Sequence, residues 1–186
     1  SACLVGSEMC IRDRLKVARS LRKTTKHQTT TVDRAFDEVI TRCADPTRPY
    51  AWIDDRVMEA YGYLHGRGWA HSVETWDAQG RLVGGLYGVS VGGFFSGESM
   101  FHDPEYGRDA SKTALMRLVC ELGPGLLDVQ WSTPHLASLG VIEVDRAEYL
   151  ALLSDALERP APQWTSPDDP AWNGVHLLER VRKMPA

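Results

Sequence analysis

The sequence predicts an α+β domain in which helices pack on a mostly antiparallel sheet. Three observations carry that reading. Apolar residues recur at helical spacing in two early segments, residues 69–101 read as consecutive strands joined by tight turns, and a helix, a strand and a last helix follow.

The elements follow in chain order. The run Leu4-Val5-Gly6-Ser7-Glu8-Met9-Cys10-Ile11-Arg12-Asp13 reads like a translated sequencing adapter, so residues 1–14 are set apart as a non-native segment. The domain itself is expected over residues 15–157. With Thr31 as N-cap, Val32, Ala35, Phe36, Val39, Ile40 and Cys43 share one helix face, and Asp45-Pro46-Thr47-Arg48-Pro49 ends the pattern. A second helix opens at Asp54 or Asp55, carries Val57, Met58, Tyr61 and Leu64 on one face, and stops at Gly66 and Gly68.

Trp69 to Trp76, Arg81 to Ser90 and Phe94 to Phe101 then form a meander, with Asp77-Ala78-Gln79-Gly80 and Gly92-Gly93 as its turns. Gly84, Gly85, Gly88 and Gly97 are poor strand residues, which points to bulges, close backbone approach or simple kinks. Ser111 caps a helix through Ala114, Leu115, Leu118, Val119 and Leu122 that Gly123-Pro124-Gly125 ends. Leu126 to Trp131 is a strand, and Asp145 with Glu148 is a capping box for a helix to Leu157. Residues 158–186 read as an irregular Pro-rich tail in which Trp164 and Trp172 pack on the domain.

With 186 residues, 43% hydrophobic and 25% charged, the chain has the composition of one globular domain with a sizeable core. No window approaches the apolar run of about 18 residues that a membrane span needs, and no secretory leader pattern opens the chain. A cytoplasmic monomer without membrane contact is expected. The four cysteines, Cys3, Cys10, Cys43 and Cys120, form no C-x-x-C pair, so they read as reduced thiols. Cys43 and Cys120 fall on apolar helix faces, as small hydrophobes rather than nucleophiles. No metal site is expected, because His, Asp and Glu do not converge at ligand spacing.

The net charge of −4 argues against indiscriminate nucleic-acid binding, but a local patch does not need a positive total. Arg12, Arg14, Lys16, Arg19, Arg22, Lys23 and Lys26 stand against Asp13 alone between residues 12 and 26. They read either as contacts for RNA phosphates or as a solvated helix face.

Candidate chemistry lies further on. Alternation in the strand from Leu126 puts Asp128 and Gln130 on one face, where a carboxylate and a carboxamide together suit the holding of a nucleophilic amine; the alternative is a solvent-facing sheet edge. Glu98, after Gly97 at a strand end rich in aromatic and small residues, would prefer a cationic partner to isolation. Met100 and Phe101 beside it line either an apolar pocket or the core. His71 and Ser72 point to opposite strand faces and so make no nucleophile and base pair. His65 is a helix C-terminal residue, and His102 sits in a loop.

Several stretches, taken in order, resemble the leucyl/phenylalanyl-tRNA-protein transferase family: Ala70-His71-Ser72-Val73-Glu74, Gly84-Gly85-Leu86-Tyr87-Gly88-Val89, Gly97-Glu98-Ser99-Met100-Phe101, Ser111-Lys112-Thr113-Ala114-Leu115, Asp128-Val129-Gln130 and His135-Leu136-Ala137-Ser138-Leu139-Gly140. The element order is also like that of a GNAT acyltransferase. The resemblance implies transfer of leucine, phenylalanine or, less often, methionine from aminoacyl-tRNA to an N-terminal arginine or lysine of a protein, marking it for degradation, with aminoacyl-tRNA as a substrate and no cofactor. It implies Asp128 and Gln130 as catalytic residues, with Gln130 polarised by Asp128, and Glu98 as the group that binds the acceptor. Leu86, Phe95 and Met100 would form the aminoacyl pocket, and Arg19, Arg22, Lys23 and Lys26 would meet tRNA. Two departures stand out: the Trp-Trp-Ser-Pro-x-Pro-Arg signature is absent from these residues, and Trp131-Ser132-Thr133-Pro134 stands where other members carry an Asn before the His. A CoA-dependent N-acetyltransferase and an inactive fragment that only binds RNA or peptide are the competing readings. The former lacks its glycine-rich pyrophosphate turn, since Gly107-Arg108-Asp109-Ala110-Ser111-Lys112 stands there.

Overall fold

The computed structural model describes residues 8–11, 15–48, 52–130 and 134–184. Of the features above, most of the first segment with Arg12 and Arg14, Pro49, and Trp131 to Thr133 lie outside the described residues.

An eight-stranded sheet in the order β7-β1-β6-β5-β4-β3-β2-β8 organises the chain. The strands are β1 Glu8–Ile11, β2 Thr29–Val32, β3 Ala70–Trp76, β4 Leu82–Val91, β5 Phe94–His102, β6 Leu126–Asp128, β7 Ile142–Val144 and β8 Trp172–Asn173. All neighbours pair antiparallel except β5 and β6. A parallel pair needs a crossover, supplied here by helix α4, Ala110–Leu122. The fold is thus α+β with a mostly antiparallel sheet, as the sequence predicts.

Helices cover both faces. Helices α2 (Phe36–Cys43) and α3 (Asp55–Gly66) bury Phe36, Val39, Ile40 and Cys43 against Ala70, Leu82, Tyr87 and Phe101. On the other face α4 sets Ala114, Leu115, Leu118 and Leu122 against Val73, Leu86, Phe95 and Leu127. Helices α1 (Arg19–Thr25) and α7 (Gly174–Lys183) pack beside α4. A one-turn α5, Pro134–Ala137, leads to β7, and α6, Arg146–Glu158, closes the β6 end over Leu126 and Val144. No helix among the described residues is long and apolar enough to cross a membrane.

Four local expectations are corrected. Thr31 is not an N-cap: Thr29-Thr30-Thr31-Val32, four β-branched residues, form β2 against β3, and α2 starts only at Phe36 after Asp33 takes a left-handed φ of 54°. Ser111 lies inside α4, whose preceding residue is Asp109, at φ 57°. His102 is the last residue of β5 rather than part of a loop. The tail is not irregular throughout: it adds β8 to β2 and then forms α7, whose N-cap Asn173 accepts the His176 N–H at 2.9 Å. By contrast, the Asp54 cap of α3 and the Asp145 cap of α6 form as expected, each accepting an N–H at 2.9 Å, from Val57 and Glu148.

Candidate functional site

The site starts from a defect in the β4–β5 ladder. Tyr87 pairs with Ser99 and Gly88 with Gly97, so Glu98 is an extra residue on β5. Such a bulge re-aims the side chain it carries. The bulge needs glycine opposite it, since a Cβ on Gly88 would stand 2.1 Å from the Ser96 carbonyl oxygen and 2.5 Å from the Phe95 ring. Here the strand glycines do mark a bulge and a close approach.

On its other side β5 pairs with β6, with Ser96 opposite Asp128. The ladder ends there, because Gln130 turns into the left-handed region at φ 61°. The expected strand to Trp131 therefore stops early, and the alternation argument for Asp128 and Gln130 does not hold. They meet by a different route: Asp128 Oδ1 accepts the Gln130 backbone N–H at 2.7 Å, a local turn that returns the Gln130 side chain over β5. Its carboxamide Nε2 then donates to the Gly97 carbonyl at 3.1 Å and to Glu98 Oε2 at 3.3 Å, with the Ser96 hydroxyl at 3.4 Å. Asp128 thus holds the backbone of Gln130 and does not contact the carboxamide. Its Oδ2 accepts the Tyr149 hydroxyl at 2.6 Å.

Glu98 Oε1 accepts the Ser96 hydroxyl at 3.1 Å. Burial first, and the neighbouring Glu98 carboxylate second, raise the Tyr61 phenol above the ordinary tyrosine range. The fully buried Tyr87 hydroxyl has no hydrogen-bond partner among the described residues, and burial is the main cause that raises its pKa as well. The groups that hydrogen-bond Glu98 are thus neutral hydroxyls and an amide. The Arg48 guanidinium, which reaches the same strand, is taken by the Met100 and Cys43 carbonyls at 2.6 and 2.9 Å, and no ion pair among the described residues engages Glu98.

Asp128, Gln130 and Glu98 are thus brought together. Tyr149 and Ser96 complete their network without having been singled out in the sequence; the capping box that positions α6 was the available signal for Tyr149. Leu86 and Phe95 are buried in the core, with Met100 half-buried against it and directly opposite Leu86 in the ladder. Arg19, Arg22, Lys23 and Lys26 stand apart from this cluster, exposed at positions i, i+3, i+4 and i+7 along α1, while Leu21 and Thr25 pack inward.

The weaker candidates have structural partners. His71 Nδ1 meets Asp33 at 2.7 Å and its ring stacks on Trp164, whereas the Ser72 hydroxyl donates to buried Glu74, so the two do point apart. His65, in the last turn of α3, bonds the Ala70 carbonyl at 2.9 Å. Burial pushes the Cys43 and Cys120 thiols each up to about 11, as small hydrophobes would be. Among the described residues no three His, Cys, Asp or Glu side chains converge as a metal site.

Comparison with known proteins bears on this arrangement. The leucyl/phenylalanyl-tRNA protein transferase profile matches residues 9–154, which include the bulge, Asp128, Gln130 and Tyr149. A leucyl/phenylalanyl-tRNA–protein transferase of Rhizorhabdus wittichii is 51% identical over 152 residues, 78% of this chain and 60% of that protein. One of Rhodopseudomonas palustris is 47% identical over 173 residues, 89% of this chain and 75% of that protein. The chain thus spans 60 to 75% of the length of these curated relatives. Among solved structures, a spermidine N-acetyltransferase chimera from Vibrio cholerae and hSSAT aligns with a TM-score of 0.40 at 13% identity, over 70% of this chain and 79% of that one. With a profile match across most of its length and relatives near half identity, the chain belongs to the leucyl/phenylalanyl-tRNA protein transferase family.

Proposed function

We propose that this chain transfers leucine or phenylalanine, less often methionine, from its aminoacyl-tRNA to the N-terminal arginine or lysine of an acceptor protein, a cytoplasmic step that marks the acceptor for degradation. The observation that carries the proposal is the Gln130 carboxamide held over the β5 bulge within 3.3 Å of Glu98. Family membership supports the same reading.

The reaction is aminolysis of an activated ester, so the protein has to align two reactants and manage one proton. The acceptor α-amine nitrogen bonds to the aminoacyl carbonyl carbon, and the bond from that carbon to the tRNA ribose oxygen breaks. The proton lost by the nitrogen ends on that ribose oxygen. No cofactor is needed, because the ester already carries the activation. Gln130 Nε2 is engaged with β5, which leaves Oε1 to accept a hydrogen bond from the α-amine and orient its lone pair. Asp128 acts through the Gln130 backbone and is a positioning residue. Glu98, without a cationic partner of its own, receives the guanidinium or ammonium of the acceptor's first side chain. The aminoacyl side chain packs near Met100, with Leu86 and Phe95 as its buried backing. The α1 cations meet tRNA phosphates, and the chain acts as a monomer.

The test uses the purified chain, leucine-charged tRNA and a peptide beginning with arginine. Transfer is expected, and Glu98→Gln should raise KM for the peptide about tenfold or more while changing kcat little, the loss of one charge-assisted hydrogen bond. No transfer by the folded chain, or an unchanged KM in Glu98→Gln, would refute the reading.

A further inference from the structure

A groove of about 470 Å³ lies away from this cluster, between the C-terminal end of α1, the β3–β4 turn and the loop before α4. We propose that it is an RNA-binding subsite that grips the phosphodiester backbone and stacks one base of the donor RNA outside the reaction site. The inference rests on the proposed use of aminoacyl-tRNA.

Charge comes first. Lys23, His27, Arg81 and Arg108 line the groove, with Asp77 as its acid. Asp77 is already committed: Oδ1 accepts the backbone N–H groups of Gln79 and Arg81, each at 2.9 Å, and Oδ2 takes the Arg81 side chain at 2.6 Å. Asp109 behind it is held by Lys112 at 2.9 Å. Among the described residues no ion pair or side-chain hydrogen bond engages Lys23 or Arg108, so the free charge of the groove is positive. Lys23 also belongs to the exposed row Arg19, Arg22, Lys23 and Lys26, which runs about 10 Å along α1 at the rise of an α-helix. The groove continues that row.

An aromatic platform selects the partner. Tyr106 is 47% exposed, and the Arg81 guanidinium lies 3.8 Å from its ring centre. The ring carries a cation on one face, keeps about half of its surface exposed, and shares the groove lining with Lys23 and Arg108. Nucleic acids need this combination, bases stacking on the ring while phosphates meet the surrounding charge. An acidic peptide would use the charges and leave the ring idle. The walls are tied together as well: the Gln28 side chain donates to the Arg108 carbonyl at 3.1 Å and the Thr24 hydroxyl to Asp109 at 3.4 Å, so α1 and the loop are held in register.

The test measures tRNA binding to the full chain by fluorescence anisotropy between about 50 and 200 mM salt. Tyr106→Ala should weaken binding about 5- to 150-fold, the effect of losing one stacked base. Arg108→Gln should flatten the slope of log affinity against log salt by about 0.7 to 0.9, the loss of one phosphate contact. Neither change should alter leucine transfer from a short leucyl-adenosine ester, which does not reach the groove; this readout also shows that the variants fold. Wild-type affinity and slope in both variants would overturn the proposal. So would displacement of RNA by polyglutamate at equal charge together with indifference to Tyr106→Ala, which would mark an acidic-peptide groove. A chain that transfers leucine from charged tRNA while both variants bind it like wild type loses this inference and keeps the transferase reading. If neither donor is used, the transferase reading falls while the binding comparison still decides the groove.

Discussion

Asp128 accepts the backbone N–H of Gln130 at 2.7 Å, while the Gln130 carboxamide bonds to β5 and shares no hydrogen bond with that carboxylate. The acid therefore sets the conformation of the amide. The second oxygen of Asp128 takes the Tyr149 hydroxyl, which couples the turn to α6.

Asp128→Ala should remove both bonds, the one from the buried Tyr149 hydroxyl included. The expected cost is about 1–3 kcal/mol of stability, with a fall in kcat larger than any change in KM for the acceptor peptide. Tyr149→Phe should cost about 1 kcal/mol and leave the Gln130 turn in place, so its kcat should stay near wild type. Urea melts and steady-state transfer assays decide; a Tyr149→Phe kcat as low as that of Asp128→Ala would mean that the α6 contact, not the turn, positions Gln130.

Gly88→Ala tests the bulge. The added methyl meets the Ser96 carbonyl oxygen at 2.1 Å, a backbone atom that cannot swing aside. Overpacking of this kind costs about 1–3 kcal/mol and should shift Glu98 from its place beside Gln130. The measurements are a urea melt and the KM for an arginine-initiated peptide. Gly62→Ala on α3, where a Cβ meets nothing within 4 Å, is the control: it should leave the KM unchanged and raise stability by about 0.5–1 kcal/mol through helix propensity.

Much of this was legible in residue pattern. The α2 face, the meander and two helix caps follow from spacing and capping chemistry, and Gly88 and Gly97 announced the bulge. Alternation joined Asp128 to Gln130 for the wrong reason, because it misses a turn made by a side chain accepting an N–H two residues on. Thr31 and Val32 were absorbed into a helical pattern, although with Thr29 and Thr30 they make a run of four β-branched residues that favours a strand. The docking of α7 was hidden by the prolines before it. Gly174 records that docking, since a Cβ there would lie 1.7 Å from the Thr25 carbonyl oxygen, but a single glycine says nothing until its neighbour is known.

Alkaline pH should destabilise the fold. The Cys43 and Cys120 thiols titrate at about 11 in the folded chain against an ordinary 9.0, because burial disfavours the thiolate. Between those values the unfolded chain has released the protons that the folded chain keeps, so stability falls with rising pH. The contribution is complete below about pH 9 and is lost as pH rises through 11. The raised Tyr61 and Tyr87 phenols act in the same direction. Urea melts at stepped pH should show this fall, and iodoacetamide labelling at Cys43, mapped by mass spectrometry, should run about two orders of magnitude slower in the native chain than in urea at mildly alkaline pH.

Arg117 is fully buried in α4, with its Nε 2.6 Å from Glu121 and its guanidinium 3.6 Å from the centre of the Trp172 ring. Glu121 also accepts the Thr165 hydroxyl at 2.8 Å and backbone N–H at 3.0 Å, so one ion pair fastens the segment that precedes α7. Removing one member of such a pair strands the other charge away from water, and Glu121→Ala should cost about 3–5 kcal/mol. Arg117→Met together with Glu121→Leu removes both charges and should recover most of that loss, since apolar replacement of a buried pair is often neutral in stability. It should not recover the attachment of residues 160–184, which has lost the Thr165 acceptors. Limited proteolysis reads the difference: the double variant should melt near wild type and still be cut between Pro160 and Trp172 faster than wild type. Equal cleavage rates would show that the stacking of Trp164 on His71 and the apolar packing of Trp172 are enough to hold the segment without the carboxylate or the guanidinium.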